Sequence, residues 1–263
     1  MDLGIRGKVA LVAASSKGLG RATAEALAAE GVDLVLCARG EAALRATAEE
    51  IRRSSGVRVA DVVADVATPE GIASVLSAAD REFGRVDILV TNSGGPPAGP
   101  FDTHAPDAWE AAVRGNLTSV VELVRGVLPG MRERRWGRIV NVTSIAVKQP
   151  VDNLILSNSV RAAVTGFART LANEVAPYGV TVNNVMPGYT RTARVEELAT
   201  RTASLQGTTP AAAFATWEGQ IPMGRLGEPV EFGAMVCFLC SAHASYTTGA
   251  SIPVDGGWIR SLL

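Results

Sequence analysis

Gly18 and Gly20, in the run Ala14-Ser15-Ser16-Lys17-Gly18-Leu19-Gly20, stand between the apolar segment Val9–Ala13 and the Ala-rich stretch Leu19–Ala29. Glycine removes the side chain where a backbone must approach an anion closely. The first turn of a following helix adds unpaired N–H groups at the positive end of its dipole. An apolar strand, a small-residue turn and a helix in that order make a phosphate cradle, which a dinucleotide pyrophosphate fits.

Other chemistries find few residues to carry them. The three cysteines, Cys37, Cys237 and Cys240, are an odd number for a disulfide framework and suit a reducing compartment. Cys237-Phe238-Leu239-Cys240 spells C-x-x-C inside a stretch that reads as a buried helix, so core packing is expected there, not redox or metal work. His104 and His243 are the only histidines; His104 is flanked by proline and His243 follows a helix end, which argues against a zinc site or a Ser-His-Asp triad. No metal is expected. The net charge of -1 gives no electrostatic reason to bind nucleic acid or an anionic membrane, and the basic cluster Arg132–Arg138 is interrupted by Glu133. No apolar run approaches the roughly 18 residues of a membrane span, and the first residues lack the plan of a signal peptide, so a cytoplasmic protein is expected.

The elements that must position the cradle alternate along the whole chain. Apolar runs of strand length lie at Val9–Ala13, Val32–Ala38, Val57–Val63, Val86–Thr91, Gly137–Thr143, Val180–Met186 and Ser251–Val254. Helical patterns lie between them at Leu19–Ala29, Glu41–Ser54, Pro69–Phe83, Pro106–Arg134, Val160–Ala176 and Pro229–Ser241. Continuous apolar strands separated by helices mean a doubly wound parallel sheet, covered on both faces, in an α/β protein. With 263 residues and 47% hydrophobic content, a single domain over the whole chain is expected. The long irregular stretch Gly188–Arg225 reads as a substrate-binding loop or lid.

Ligands of such a sheet gather beyond the carboxyl ends of its strands, so the residues that follow each strand matter most. They are Ala14–Gly20 after the first, Arg39 after the second, Asp65-Val66 after the third and Asn92-Ser93-Gly94 after the fourth. Thr143-Ser144 follows the fifth, and Pro187-Gly188-Tyr189-Thr190-Arg191-Thr192 the sixth. This succession resembles the short-chain dehydrogenase/reductase family over nearly the whole chain. The family's T-G-x-x-x-G-x-G turn appears as Ala13–Gly20, its N-N-A-G element as Thr91–Gly94, and its P-G-x-x-x-T element as Pro187–Thr192. Gly224–Pro229, Tyr246–Gly249 and Val254–Gly257 add to the likeness, which is with 3-oxoacyl-carrier-protein reductase-like members.

The resemblance implies a Rossmann-type three-layer sandwich, a nicotinamide dinucleotide and hydride transfer between a carbonyl and an alcohol. It also implies that Ala14, Ser16, Lys17, Gly18 and Leu19 form the cofactor turn and that Asp65 and Val66 meet adenine. Asn92, Ser93 and Gly94 would pass the ribose, and Pro187, Gly188, Thr190 and Thr192 would lie along the nicotinamide. The chain departs from the family at two places. Ala14 replaces the first glycine of the turn, and if that position has φ > 0 its Cβ costs roughly 1–2 kcal/mol. In the family a catalytic Tyr lies 13 residues after the catalytic Ser and a Lys four further on. Counted from Ser144 these positions hold Ser157 and Arg161, whereas the family's helix asparagine is present as Asn116.

A Ser hydroxyl is far less acidic than a tyrosine with a reference pKa near ~10, and a guanidinium is ill suited to passing a proton, although Arg161 can still grip ribose hydroxyls. Asn116, Ser144, Ser157 and Arg161 are therefore the candidate catalytic group. The proton source is left open between Tyr189, Lys148 and a water held by Ser144 and Ser157. Two functions follow: an oxidoreductase with an altered proton relay acting on a small carbonyl or alcohol, or a catalytically silent NADP(H)-binding sensor or structural subunit. Lys17 and Arg39 converge where an NAD site would place Asp or Glu, which suits a ribose 2′-phosphate and NADP(H) over NAD(H). Helices Pro106–Arg134 and Val160–Ala176, apolar on more than one face, point to a homo-oligomer, a tetramer with twofold axes.

Overall fold

Short runs rich in Val, Leu and Ile, apolar on both sides of the pleat, become strands only where both faces can be covered. In the computed structural model, which describes residues 1–262, they do so at β1 (Val9–Ala13), β2 (Asp33–Ala38), β3 (Val59–Val63), β4 (Ile88–Thr91), β5 (Gly137–Val142), β6 (Val180–Pro187) and β7 (Ser251–Val254). Leu263, the last residue of the expected domain, lies outside the described residues. The strands form one sheet in the order β3-β2-β1-β4-β5-β6-β7. Every pairing is parallel; Val9 of β1 stands opposite Asp33 of β2, and Ala10 opposite Ile88 of β4.

Helices close both faces. On one, α1 (Gly18–Ala29), α2 (Glu41–Ser55) and α9 (Pro229–Leu239) bury Leu27, Leu44, Phe232 and Val236 against Val12, Leu34 and Val90. On the other, α3 (Pro69–Phe83), α5 (Ser119–Glu133) and α6 (Ile155–Val175) bury Val75, Leu123, Met131 and Val164 against Leu11, Val35 and Ile139. The strand order reverses direction between β1 and β4, and a crevice opens beyond the carboxyl ends of these strands. The doubly wound three-layer architecture expected from the sequence is the one observed.

Beyond shifts of one or two residues at element ends, three stretches differ from expectation. The helix expected over Pro106–Arg134 is divided into α4 (Pro106–Val113), a π turn at Arg114–Thr118, and α5. Side chains cause the break: Asn116 Nδ2 donates to the Ala112 carbonyl at 3.0 Å and Ser119 Oγ to the Gly115 carbonyl at 2.9 Å, in competition with the regular backbone ladder. Helix α6 begins at Ile155, five residues before the expected Val160, after Asn153 has taken a left-handed φ of 58°. Ser157 therefore stands in a helix, not in the loop before one.

The third difference is larger. The stretch 188–225 is mostly helical, with α7 (Ala193–Gln206) capped by Thr192 and α8 (Pro210–Gln220) capped by Thr209. Both start at a side-chain cap, and Pro210 occupies the first turn of α8, where its missing N–H costs nothing. Their many small residues conceal the apolar period from which a helix is read. Their packing rests on a local cluster of Ala199, Ala213 and Trp217 instead of a long stripe.

Candidate active site

The turn after β1 is the tightest part of the crevice. Ala14 has φ 50° and Gly18 φ 58°, so both central positions are left-handed and Ala14 carries the Cβ penalty there. Gly20 is required by contact: a Cβ on it would run into the Ala14 carbonyl. Ser15 Oγ accepts from Cys37 N at 3.1 Å, and Thr47 Oγ1 donates to the Ser16 carbonyl at 3.0 Å, so the turn is pinned to β2 and α2. Lys17 is the extended N-cap residue of α1 and offers no side-chain cap, and the first turn of the helix has no acidic residue. Its amide donors thus stay available to an anion.

This turn opens into a cleft of about 1440 Å³. All the residues expected along a cofactor lie on its wall: Ala14, Ser16, Lys17, Gly18 and Leu19; Arg39; Asp65 and Val66; Asn92, Ser93 and Gly94; and Pro187, Gly188, Thr190 and Thr192. At one end Arg39 Nη1 is 3.8 Å from Asp65 Oδ2, an open pair in which the arginine side chain is 77% exposed. Such a pair contributes little by itself and leaves most guanidinium donors free. Asp65 also accepts from Ala67 N at 3.0 Å, which fixes the loop after β3.

Asn116, Ser144, Ser157 and Arg161 line the same cleft. Ser144 caps a short 3-10 turn at Ile145–Val147, its Oγ accepting from Ala146 N at 3.1 Å. The π turn carries Asn116 to Ser93, whose hydroxyl donates to Asn116 Oδ1 at 3.0 Å. Ser157 and Arg161 are one turn apart on α6 and so share a face. Arg161 is 6% exposed, donates from Nη1 to the Val142 carbonyl at 2.5 Å, and has no carboxylate within ion-pair distance among the described residues. Burial first, and the neighbouring Arg194 charge second, lower its guanidinium to about 10, which leaves it cationic at neutral pH.

The proposed sources of a proton fare differently. Tyr189 is on the cleft wall, but its ring stacks on Trp217 at 4.6 Å and meets Trp258 edge-on at 6.1 Å. Burial, with the Asp152 charge adding to it, raises the Tyr189 phenol above its ordinary value, so it is a weaker acid than a free tyrosine. Lys148 follows the 3-10 turn, is exposed, and is not part of the cleft wall. Ser144 and Ser157 both line the cleft.

Arg194, absent from the sequence-based candidates, also reaches the cleft. It occupies the first turn of α7, where the helix dipole disfavours a cation, a mismatch hidden from the sequence because the helix itself shows no apolar period. Arg191 is neutralised by Glu218 at 3.2 Å and Glu228 at 3.3 Å, which ties the helical stretch down. The cysteines stay in the core, and burial raises the thiols of Cys37 and Cys237 to about 12 and that of Cys240 further. Among the described residues, no group of three or more His, Cys, Asp or Glu could hold a metal ion, and no helix is long and apolar enough to cross a membrane.

A parallel sheet in this order, with a glycine turn feeding an uncapped helix where the strand order reverses, defines a Rossmann-type dinucleotide-binding protein. The chain belongs to the short-chain dehydrogenase/reductase family: a family model described as enoyl-(acyl carrier protein) reductase matches residues 13–259. It is 37% identical over 257 residues to the 3-oxoacyl-[acyl-carrier-protein] reductase of Vibrio cholerae, covering 97% of this chain and 98% of the relative. Among solved structures it is similar to L-sorbose reductase from Gluconobacter frateurii complexed with NADPH and L-sorbose, with a TM-score of 0.94, 36% identity and all of both chains covered. It is also similar to actinorhodin polyketide ketoreductase with NADPH, with a TM-score of 0.93, 33% identity and coverage of 97% and 98%.

Proposed function

We propose that this protein is an NADP(H)-dependent oxidoreductase that interconverts a small carbonyl compound and its alcohol through an altered proton relay. The observation that carries the reading is Arg161: a buried, charged side chain kept at the family's lysine position, on the cleft wall with Ser144 and Asn116. Family membership supports oxidoreductase chemistry, and the NADPH in two similar reductases supports the cofactor.

The residues present fit a dinucleotide. Gly18, Gly20 and the open amides of α1 suit the pyrophosphate, because a Cβ at Gly20 would close the cradle. Lys17 and Arg39 suit a 2′-phosphate, Asp65 and Val66 the adenine, and Asn92 to Gly94 the ribose between. Pro187, Gly188, Thr190 and Thr192 suit the nicotinamide end, and Arg161 its ribose hydroxyls. When bound, the cofactor supplies or accepts a hydride at the substrate carbon. Ser144 then donates to the substrate oxygen, and a water between Ser144 and Ser157 carries the proton that a tyrosine would otherwise give. The first residues of α7, Ala193 to Leu198, border the substrate side.

Ser144→Ala is expected to lower turnover by roughly 10²–10⁴, the contribution of a placed acid-base group, with Ser157→Ala having less effect. The double change Ser157→Tyr with Arg161→Lys is expected to raise generic reductase activity, measured as NADPH oxidation against a carbonyl panel. The serine at position 157, and a Tyr189 phenol raised above its ordinary value, favour a second reading, a silent NADP(H)-binding sensor or structural subunit. That reading is the outcome if NADPH binds, no carbonyl or alcohol is turned over, and the double change restores nothing.

A further inference from the structure

Two arginines on the cleft wall are incompletely satisfied: Arg161 is buried without a carboxylate, and Arg194, whose side chain is 46% exposed, has only a loose pair with Glu197 at 3.9 Å. Arg161 is 6% exposed and bonded only to the Val142 carbonyl, with no carboxylate in ion-pair range among the described residues. Arg194 is fixed differently: its Nη2 donates to the Pro96 carbonyl at 2.8 Å, and its nearest carboxylate, Glu197 Oε2, is 3.9 Å away, beyond hydrogen-bonding distance. Nε of Arg194 lies against Gly95, 3.5 Å from where a Cβ would stand, so the guanidinium is laid along the loop that follows Asn92–Gly94. It faces both the main cleft and an adjoining hollow of about 420 Å³ shared with Glu197, Leu198 and Arg201. Arg161 and Arg194 line the same cleft, and the Arg194 charge adds to burial in lowering the Arg161 guanidinium.

Arg161, stripped of water and given a single carbonyl, remains electrostatically unfinished, and the half-exposed Arg194 adds a second positive charge that its long pair with Glu197 offsets little. The nicotinamide ribose offers Arg161 hydroxyls but no charge. Glu196 and Glu197 also border the cleft, yet neither is within hydrogen-bonding distance of either guanidinium, and Arg191 is already neutralised by Glu218 and Glu228. The cofactor's pyrophosphate belongs at the α1 turn, where Gly18 meets the Thr192 side chain, not along the Gly95–Pro96 backbone.

We propose that the substrate is itself an anion, an oxo acid or its hydroxy acid, whose carboxylate is held by Arg194 within the field of Arg161. The carbonyl part of this assignment rests on the oxidoreductase reading, whereas the carboxylate part rests on the two arginines alone. Arg194 presents a planar fork that matches a carboxylate. Its anchorage to Pro96 sets where that carboxylate sits and leaves the rest of the substrate to reach Ser144 and Ser157.

The test uses pyruvate, acetoacetate, levulinate and benzoylformate, each beside its methyl ester. Turnover with NADPH is read as kcat/KM, and binding to the protein–NADP⁺ complex is read by calorimetry. At least one acid is expected to exceed its ester by about tenfold or more in binding and in kcat/KM, the scale of a charge-assisted hydrogen bond. Arg194→Gln is expected to bring acid and ester within about twofold while the NADPH Kd stays within about twofold, and Arg194→Lys to keep part of the preference. If Arg194→Gln weakens NADPH as much as it weakens the acids, the arginine serves the cofactor and the proposal is wrong. It is equally wrong if no acid binds better than its ester. If the acids bind better through Arg194 but nothing is reduced, the anion site stands and the oxidoreductase reading fails.

Discussion

Arg39 and Asp65 face each other at 3.8 Å at the adenosine end of the cleft, and cofactor choice turns on which of them meets the ribose. A 2′-phosphate would draw Arg39 from this loose pair into forked, charge-assisted contacts with Lys17 alongside. Arg39→Asp is expected to lower the preference for NADPH over NADH by roughly ten- to a hundredfold, since it removes such contacts and adds repulsion. Calorimetric titration of both cofactors decides this; equal affinities in the natural protein, or a preference unmoved in the variant, would sink it. At this scale most of the cleft wall was legible, because all the cofactor candidates but Arg161 follow strands that the parallel sheet delivers to one place, whereas Asn116, Ser157 and Arg161 lie in helical segments and came from the family resemblance. Arg194 was not legible, because it lies in a stretch without visible period. The packing of Tyr189 was not legible either, because its ring meets Trp217 and Trp258, the second 69 residues further along the chain.

The β1–α1 turn shows an element that keeps its shape against the preference of one residue. Ala14 holds φ 50° where the family has glycine, and the turn survives because Ser15 and Thr47 tie the residues beside it to β2 and α2. Relief of the left-handed strain is worth roughly 1–2 kcal/mol, against about 0.5–1 kcal/mol lost to glycine's freedom in the unfolded chain. Ala14→Gly is therefore expected to stabilise by up to about 1 kcal/mol, raising the thermal midpoint by about 2–4 °C. NADPH affinity is expected to hold or tighten. A lower midpoint would show that the Ala14 methyl packs for more than the strain it brings. The other boundary differences have the same origin. The π turn at Asn116 and the early start of α6 depend on side chain to carbonyl bonds and on a left-handed Asn153, neither of which alters the apolar period used to mark helices.

For the whole molecule, the sheet's two covered faces account for most of the apolar sequence but not for all of it. Phe101 is 63% exposed and meets Trp109 of α4 edge-on at 6.3 Å, Val113 is also exposed at the end of α4, and α6 presents Ala162, Ala163 and Gly166 outward. At the other side of the chain's fold, Val230 and Phe238 of α9 and Tyr246 are exposed as well. Small residues on a helix let a second backbone come near, and apolar side chains around them supply area to bury. In the resembling family the helices equivalent to α4–α5 and α6 pair between subunits, and a twofold pairing lets the same patch serve both partners. A homotetramer is expected, or at least a dimer through these helices, so that light scattering returns a multiple of 27.3 kDa at micromolar concentration. Ala163→Glu places a charge on the outward face of α6 and is expected to reduce the particle size while leaving NADPH binding in place, since the residue is not on the cleft wall. A monomer in the natural protein, or a variant that retains its full size, would show that these exposed faces are not where copies of the chain meet.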